Sequence, residues 1–591
     1  MAAHLPRDIL WRIFLYNAVM SRNIEWEMGL SDPSEPNALL VTRHQSQVCC
    51  YWRSIILNSP SIWRRMIHTR LLAQPSGNWR SEVLRRTQDS PLWVNAIVAG
   101  ESDGWVTDIL EDNWTRVEEL HLYIDQSTPD LQKLLIRRTL LQPTSSLKSL
   151  TLRPGTQGLG QDLLFSTTES EAGSDAPDPF PKNMTALEFL RLDNAPETFT
   201  FRSAHAFLTL HTLFLRFSLK RHSSLDLLTT LARLPFLKIF GLRNDAVAWT
   251  GTFDEGASIQ FPNLDLPNLR SLSLANNVFF CTTLLTHLKP NFTRNLHIKV
   301  TSRSLSTSLV ETFLDSLRPH IEAYFNGIGR QTEQVVLSLG QPAWVSVSPK
   351  PNDFWAYFYS PKFFLHFSGS MPLDAGANPF RNCRFDRVKK LSLERRRPVE
   401  PHLNEFLGQF VHVESLNISI LQLEDLAKSD TQSLLFPCLD TLVLDLHYTL
   451  RRWTKYESTT MASIFKWLNP RKHRHRKVKV INLGVVPRIR LEAGCLEAME
   501  GLIVRWTNID QSEHSEYICG SGSPELLHFP HLYFQNQCSL PEFANHSPEE
   551  LRFAYLMFGR EMSSADLLKS AAPDPSATLA NTLNLLQISQ G

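Results

Sequence analysis

The chain predicts an α/β protein in two parts: a small helical unit, then an irregular solenoid in which a curved parallel sheet is backed by outer helices. Three observations predict it. An apolar–x–x–Leu–x–Leu hexad recurs through residues 115–490, stretches of helical periodicity separate its copies, and residues 5–70 carry helix-spaced apolar side chains without the hexad. Length agrees, because 591 residues exceed one ordinary domain and suit an elongated array.

The opening Leu5-Pro6-Arg7-Asp8-Ile9-Leu10-Trp11-Arg12-Ile13-Phe14 predicts a short amphipathic helix. Proline suits a first helical turn, Asp8 complements the positive end of the helix dipole, and Ile9, Leu10, Ile13 and Phe14 form one apolar stripe. The polar stretch Ser31-Asp32-Pro33-Ser34-Glu35-Pro36 reads as loop, and Ala38-Leu39-Leu40-Val41 as a short helix. Residues 46–57 predict a stronger helix with Val48, Cys49, Trp52, Ile55 and Ile56 on one face. Ser59 then reads as an N-cap and Pro60 as the first residue of a further turn ending near Trp63.

Together "LPRDILWRIF" and "SQVCCYWRSIILNSPSIW" resemble the F-box in its fungal form: Leu-Pro, an acid two on, Ile-Leu-x-x-Ile-Phe, Val-Cys-x-x-Trp-Arg and a closing Pro-x-x-Trp. The resemblance covers residues 4–70 only. It implies a helical unit that docks onto the small Skp-type adaptor of a cullin-RING ubiquitin ligase. By position, Leu5, Pro6, Ile9, Leu10, Ile13, Val48, Cys49 and Trp52 would line that contact. One departure is an insertion of about twenty residues at 18–37; in an exposed loop it adds little closure entropy, yet it is able to obstruct the partner. So small a helical unit cannot enclose this many large apolar side chains, and each buried in a partner contributes ~1.5–3 kcal/mol before association costs. The other reading is that the same residues seal the helices onto the following domain. Trp52 and Trp63 are expected as internal core more than as interface.

The hexads begin with Val117-Glu118-Glu119-Leu120-His121-Leu122 and Leu147-Lys148-Ser149-Leu150-Thr151-Leu152. Others lie at 187–192, 269–274, 388–393, 413–418, 439–444 and 478–483, with weaker copies ending at Leu215, Leu242, Ile298 and Leu339. Their alternating leucines suit strands with one buried face. Helical stretches at 224–234, 305–317, 403–410 and 461–468 separate them. Strand, turn and helix repeated in this way is a leucine-rich-repeat-like pattern, in which units bury their leucines only by stacking on neighbours. The spacing is irregular, and the Asn expected three residues after the last Leu is clear only at Asn277. The domains expected are thus 1–70 helical, 71–114 a linker or N-terminal cap, 115–490 the repeats, 491–561 a C-terminal cap and 562–591 a flexible tail.

Other segments carry less. Residues 168–182 are acidic and rich in Gly, Pro and Ser, which predicts a disordered loop. The gap between Leu339 and Val388 concentrates aromatics, among them Phe354, Trp355, Tyr357, Phe358, Tyr359, Phe363, Phe364 and Phe367, readable as core or as the rim of a binding surface. Arg471-Lys472-His473-Arg474-His475-Arg476-Lys477 reads as a solvated turn, an import signal or a patch for an acidic partner.

A net charge of +1 argues against a general nucleic-acid binder. With eight cysteines and no CxxC pair, neither a disulfide framework nor a zinc site is expected; Cys49 and Cys50 suit a buried helix face, and Cys495 and Cys519 lack the setting of an activated thiol. No cofactor loop or catalytic motif is present, so an enzyme in the 340–390 region is the remote alternative. With no secretion signal and no membrane-length apolar run, an intracellular protein of cytoplasm or nucleus is expected. The function these features predict is a non-catalytic substrate-recognition subunit of an SCF-type ubiquitin ligase, its F-box on the adaptor and its repeats on an unknown target protein. The alternative is an interaction scaffold outside any ligase.

Overall fold

The computed structural model describes residues 5–18, 38–74, 77–100, 103–154, 184–195, 207–217, 224–244, 263–290, 295–300, 307–327, 334–339, 343–347, 362–367, 380, 382–394, 406–419, 422–423, 426–427, 435–445, 464–471, 478–486, 491–508 and 514–529. The insertion at 19–37, the acidic loop at 168–182, the aromatics at 354–359, the basic residues 472–477 and the tail lie outside them. Two units are formed, Met1–Thr449 with Ser463–Asn482, and Leu450–Ala462 with Leu483–Gly591.

The first unit opens with helices α1 (Arg7–Asn17), α2 (Ala38–Val48), α3 (Cys50–Leu57) and α4 (Pro60–Trp63). The single helix expected over 46–57 is broken at Cys49, whose extended backbone ends α2 and whose Sγ accepts from the Trp52 N–H to cap α3. Pro60 does open α4, but Ser59 does not cap it; its hydroxyl donates back to the Ile55 carbonyl at 2.6 Å. Then β1 (Ile67–His68), α5 (Thr69–Leu72), α6 (Asn78–Thr87) and β2 (Leu92–Val98) follow. Residues 71–114, read as linker or cap, therefore hold a full strand, with Leu92, Val94, Ala96 and Val98 buried alternately.

The chain continues as α7 (Gly104–Asn113), β3 (Val117–Ile124), α8 (Asp130–Leu140), β4 (Ser149–Pro154), β5 (Phe189–Ala195), β6 (Thr212–Phe217), α9 (Ser224–Leu231), β7 (Ile239–Asn244), β8 (Ser271–Asn276), α10 (Val278–His287) and β9 (Asn295–Val300). Strands β1 to β9 pair in sequence order, each parallel to the next, as a nine-stranded parallel run. The cause lies in the hexads. Their two leucines fall in register from strand to strand, Leu120 on Leu150, Leu190, Leu213, Phe240, Leu272 and Leu296, with Leu122 on Leu152, Leu192, Leu215, Leu242, Leu274 and Ile298. All of these are buried, and each contributes roughly 1.5–3 kcal/mol relative to exposure. Asn277 serves as a helix cap here, its Oδ1 accepting from the Phe280 N–H at 2.8 Å.

After α11 (Thr307–Asn326) the order changes. Strands β10 (Gln334–Leu339), β11 (Ala343–Val347) and β12 (Lys362–Phe367) form an antiparallel excursion. It is β12, not β10, that pairs with β9, while β10 pairs with β13 (Lys390–Glu394). Parallel pairing then resumes through β14 (Ser415–Ser419), β15 (Thr441–Asp445) and the first residues of β16 (Val480–Val486). Phe363 of β12 belongs to a buried aromatic cluster with Phe325, Phe380, Phe385, Phe406 and Phe410, which places this member of the aromatic region in the core.

Two histidines in this unit are buried and neutral. His320 of α11 donates from Nε2 to the Leu285 carbonyl of α10 at 2.9 Å, and burial holds both His320 and His68 down at about 4 against an ordinary 6.5. The unfolded chain therefore binds more protons than the folded one between these values. Stability should be complete above pH 6.5 and fall as pH drops through 4, and His320→Gln should flatten the urea-midpoint profile over that window. An unaltered profile would contradict the burial described.

In the second unit, β17 (Leu491–Glu492) pairs antiparallel with β20 (His528–Phe529), and β18 (Ile503–Asn508) with β19 (His514–Ile518). The Tyr517 hydroxyl donates to the Glu497 carboxylate at 2.8 Å, which also accepts from the Gly522 N–H at 3.2 Å. The described part of the expected cap is thus antiparallel β-structure.

Candidate protein-docking site on the N-terminal helices

Helix α1 carries two apolar stripes, not one. Leu10 and Phe14, one turn apart, are buried, and the Phe14 ring meets the half-buried Trp52 of α3 edge-on at 5.1 Å. The second stripe, Ile9 and Ile13 one turn apart, stays 39% and 43% exposed and Tyr16 extends it; Leu5, just ahead of the helix, is 39% exposed. The expected contact residues therefore divide. Leu5, Pro6, Ile9, Ile13 and Val48 are exposed, Cys49 and Trp52 are half-buried, and Leu10 is buried. Leu10 is the correction: it faces the helical core one position round from Ile9 and has no surface to offer a partner. Cys50 also departs from its expected burial and is exposed.

The remaining helices repeat this division. In α2, Ala38, Leu39 and Thr42 are buried while Leu40 and Val48 are exposed; in α3, Ile55 and Ile56 are buried while Tyr51 is exposed. The interior is tied by polar contacts, Trp11 Nε1 donating to Ser61 Oγ at 3.2 Å and Trp63 Nε1 to the Ile56 carbonyl at 2.8 Å. Trp63 is internal as expected, 2% exposed, with Arg86 lying 4.5 Å from its ring centroid.

Beyond α4 the helices join the sheet. The Trp93 N–H donates to the Arg64 carbonyl at 3.0 Å, and Arg64 pairs with Glu118 at 3.0 Å. Among the described residues, Arg64 and Arg65 make these contacts to the sheet, both lying over the Trp93 ring, while Leu5, Ile9 and Ile13 stay exposed. Exposed charge on α1–α3 is mostly basic, Arg7, Arg12, Arg43 and Arg53 against Asp8.

The sequence reading missed Leu40, Tyr16 and Tyr51. Leu40 and Val48 lie eight residues apart on α2, a two-turn step that could have identified the exposed edge. Elsewhere the described residues offer little chemistry. Burial and the Glu497 carboxylate push the Cys519 thiol up to about 11, the reverse of activation, and no three His, Cys, Asp or Glu side chains among the described residues converge as metal ligands. No helix among them is long and apolar enough to cross a membrane. Compared with known proteins, the chain matches no family model and no curated protein.

Proposed function

We propose that this chain is the substrate-recognition subunit of an SCF-type ubiquitin ligase: residues 5–63 form an F-box that holds the Skp-type adaptor, and the parallel sheet with its helices is an irregular leucine-rich-repeat-like solenoid that holds a target protein. The observation that carries this reading is the exposed apolar edge of α1–α3. Leu5, Ile9, Ile13, Leu40, Val48 and Tyr51 remain 38–61% exposed beside a complete internal core, and the chain's own sheet does not cover them. Burying their free fractions in a partner contributes about 1 kcal/mol each before association costs. Four arginines around that edge favour a partner with an acidic face and an association rate that falls with salt. The chain then acts by proximity, replacing diffusive encounter between target and ubiquitin-charged enzyme with a high effective concentration.

The test is capture of the adaptor by the full chain. Ile13→Asp with Val48→Asp should weaken capture by about a hundredfold or more, since each change places a charge in a desolvated contact. The two residues are 43% and 61% exposed, so the urea midpoint should move little beside the loss of capture. Undiminished capture would sink the interface. A neddylated cullin in the wild-type complex supports the ligase reading; adaptor without cullin turns it into a scaffold.

A further inference from the structure

We propose that the entry edge of strands β6 to β8, where the chain turns into the sheet, binds an extended segment of the target protein in which acidic and apolar residues alternate. This rests on the receptor reading and gives the target a chemistry. One turn recurs ahead of the strands. The Leu187 N–H donates to the Met184 carbonyl at 3.2 Å, that of Leu210 to Phe207 at 2.9 Å, that of Leu237 to Leu234 at 3.2 Å and that of Leu269 to Leu266 at 3.0 Å. The residue after each turn then donates its N–H to the carbonyl of its counterpart one strand back: His211 to Glu188 at 2.8 Å, Lys238 to His211 at 2.7 Å and Arg270 to Lys238 at 2.7 Å. These residues stand side by side as rungs of one ladder, ~4.8 Å apart.

Elsewhere the ladder balances its charge. Glu118 and Lys148, the rungs before Glu188, pair at 2.8 Å; past the excursion Lys389 pairs with Glu414 at 3.3 Å and Lys479 with Asp440 at 2.8 Å. Lys238 and Arg270 break the pattern: they are two cations on adjacent rungs, and among the described residues neither makes an ion pair. Asp265, an acid just ahead of the turn at Leu266, is already paired with Lys289 at 3.1 Å. Like charges side by side in a sheet oppose folding, so the stability of the ladder does not account for this pair. Apolar side chains stand at the neighbouring turns, where Phe236 is 53% and Leu208 48% exposed. The turns are held in a row. Asn268 Nδ2 donates to the Pro235 carbonyl at 2.9 Å, Thr209 Oγ1 to the Thr185 carbonyl at 2.8 Å, and Pro235 and Pro267 preset the backbone of their own turns.

The occupant follows from these two features together. Successive side chains of an extended segment point to opposite sides, so alternation sets carboxylates over the rungs and apolar groups over the turns. Carboxylates two residues apart are ~6.6 Å from each other, a span that two long side chains on adjacent rungs can meet. Aromatic and arginine side chains are both enriched in protein interfaces. A nucleic acid fits less well, because its affinity rests on a long basic track and this chain carries a net charge of only +1.

The test uses the full-length protein and fluorescein-labelled heptapeptides alternating glutamate with leucine, glutamate with serine, or lysine with leucine. The glutamate–leucine peptide should bind, more weakly at about 0.5 M salt. The glutamate–serine peptide should bind about fivefold more weakly, and the lysine–leucine peptide not at all. Lys238→Glu with Arg270→Glu should weaken glutamate–leucine binding about tenfold or more and admit the lysine–leucine peptide, while adaptor capture is kept. Should charge reversal cost adaptor capture, Phe236→Ser decides alone, with an expected loss of about fivefold. The proposal is overturned if a chain that captures the adaptor binds no glutamate–leucine peptide, if these variants bind it as tightly as wild type, or if phosphatidylserine vesicles displace it. Loss of adaptor capture by the wild-type chain with peptide binding intact would instead remove the receptor reading alone.

Discussion

Phe325→Ala should remove about 3–5 kcal/mol of stability, the largest single loss expected from one truncation in the first unit. Phe325 is fully buried at the end of α11, with ring centroids of Phe385, Tyr324, Phe363 and Phe380 at 4.9, 5.2, 5.2 and 6.2 Å. Removing it opens a cavity lined by rigid rings that cannot collapse inward as aliphatic chains do, so cavity and transfer losses add. Stacked units unfold locally, so the change should appear first as faster amide exchange in β12 and β13, then as a lower urea midpoint. Phe325→Leu should recover part of it. A loss below about 1 kcal/mol would mean the cluster is not packed as described.

Arg471→Ala should destabilise by about 2–4 kcal/mol, although Arg471 belongs to a run that composition places in solvent. It is 1% exposed at the end of the helix over 464–471. Its Nη1 donates to the Phe436 carbonyl at 3.2 Å, its Nη2 to the Leu435 carbonyl, and its guanidinium lies 4.0 Å from the Trp467 ring centroid. Phe436 adopts a φ of 54°, a left-handed conformation that this pair of hydrogen bonds helps to hold. Arg471→Lys should rescue little, because an ammonium has neither the fork for two carbonyls nor the plane for the indole. Equal stability of the lysine variant in chemical denaturation would contradict that account. An import signal in the same run would have to do without Arg471.

The hexads made most of the sheet legible, because period-two leucines admit one buried face and strands such as β3, β4, β8 and β14 follow directly. Pattern alone did not reveal β2, whose Leu92, Val94, Ala96 and Val98 alternate without the leucine signature. Nor could it reveal that β12 and not β10 joins β9, since a strand's periodicity states which face is buried and not which neighbour it meets. On α1, Ile9 and Leu10 differ by about 100° of helix rotation, and nothing in an all-apolar quartet says which of the two faces inward.

The excursion between β9 and β13 bears on how this protein emerges from the ribosome. Up to residue 300 each strand meets a partner that has already left the exit tunnel, so the nascent sheet can lengthen as translation proceeds. At β9 this stops, because its next neighbour, β12, ends at Phe367 and is synthesised last of the three. While those residues are being translated the edge of β9 waits uncovered, a natural moment for a chaperone to engage the chain.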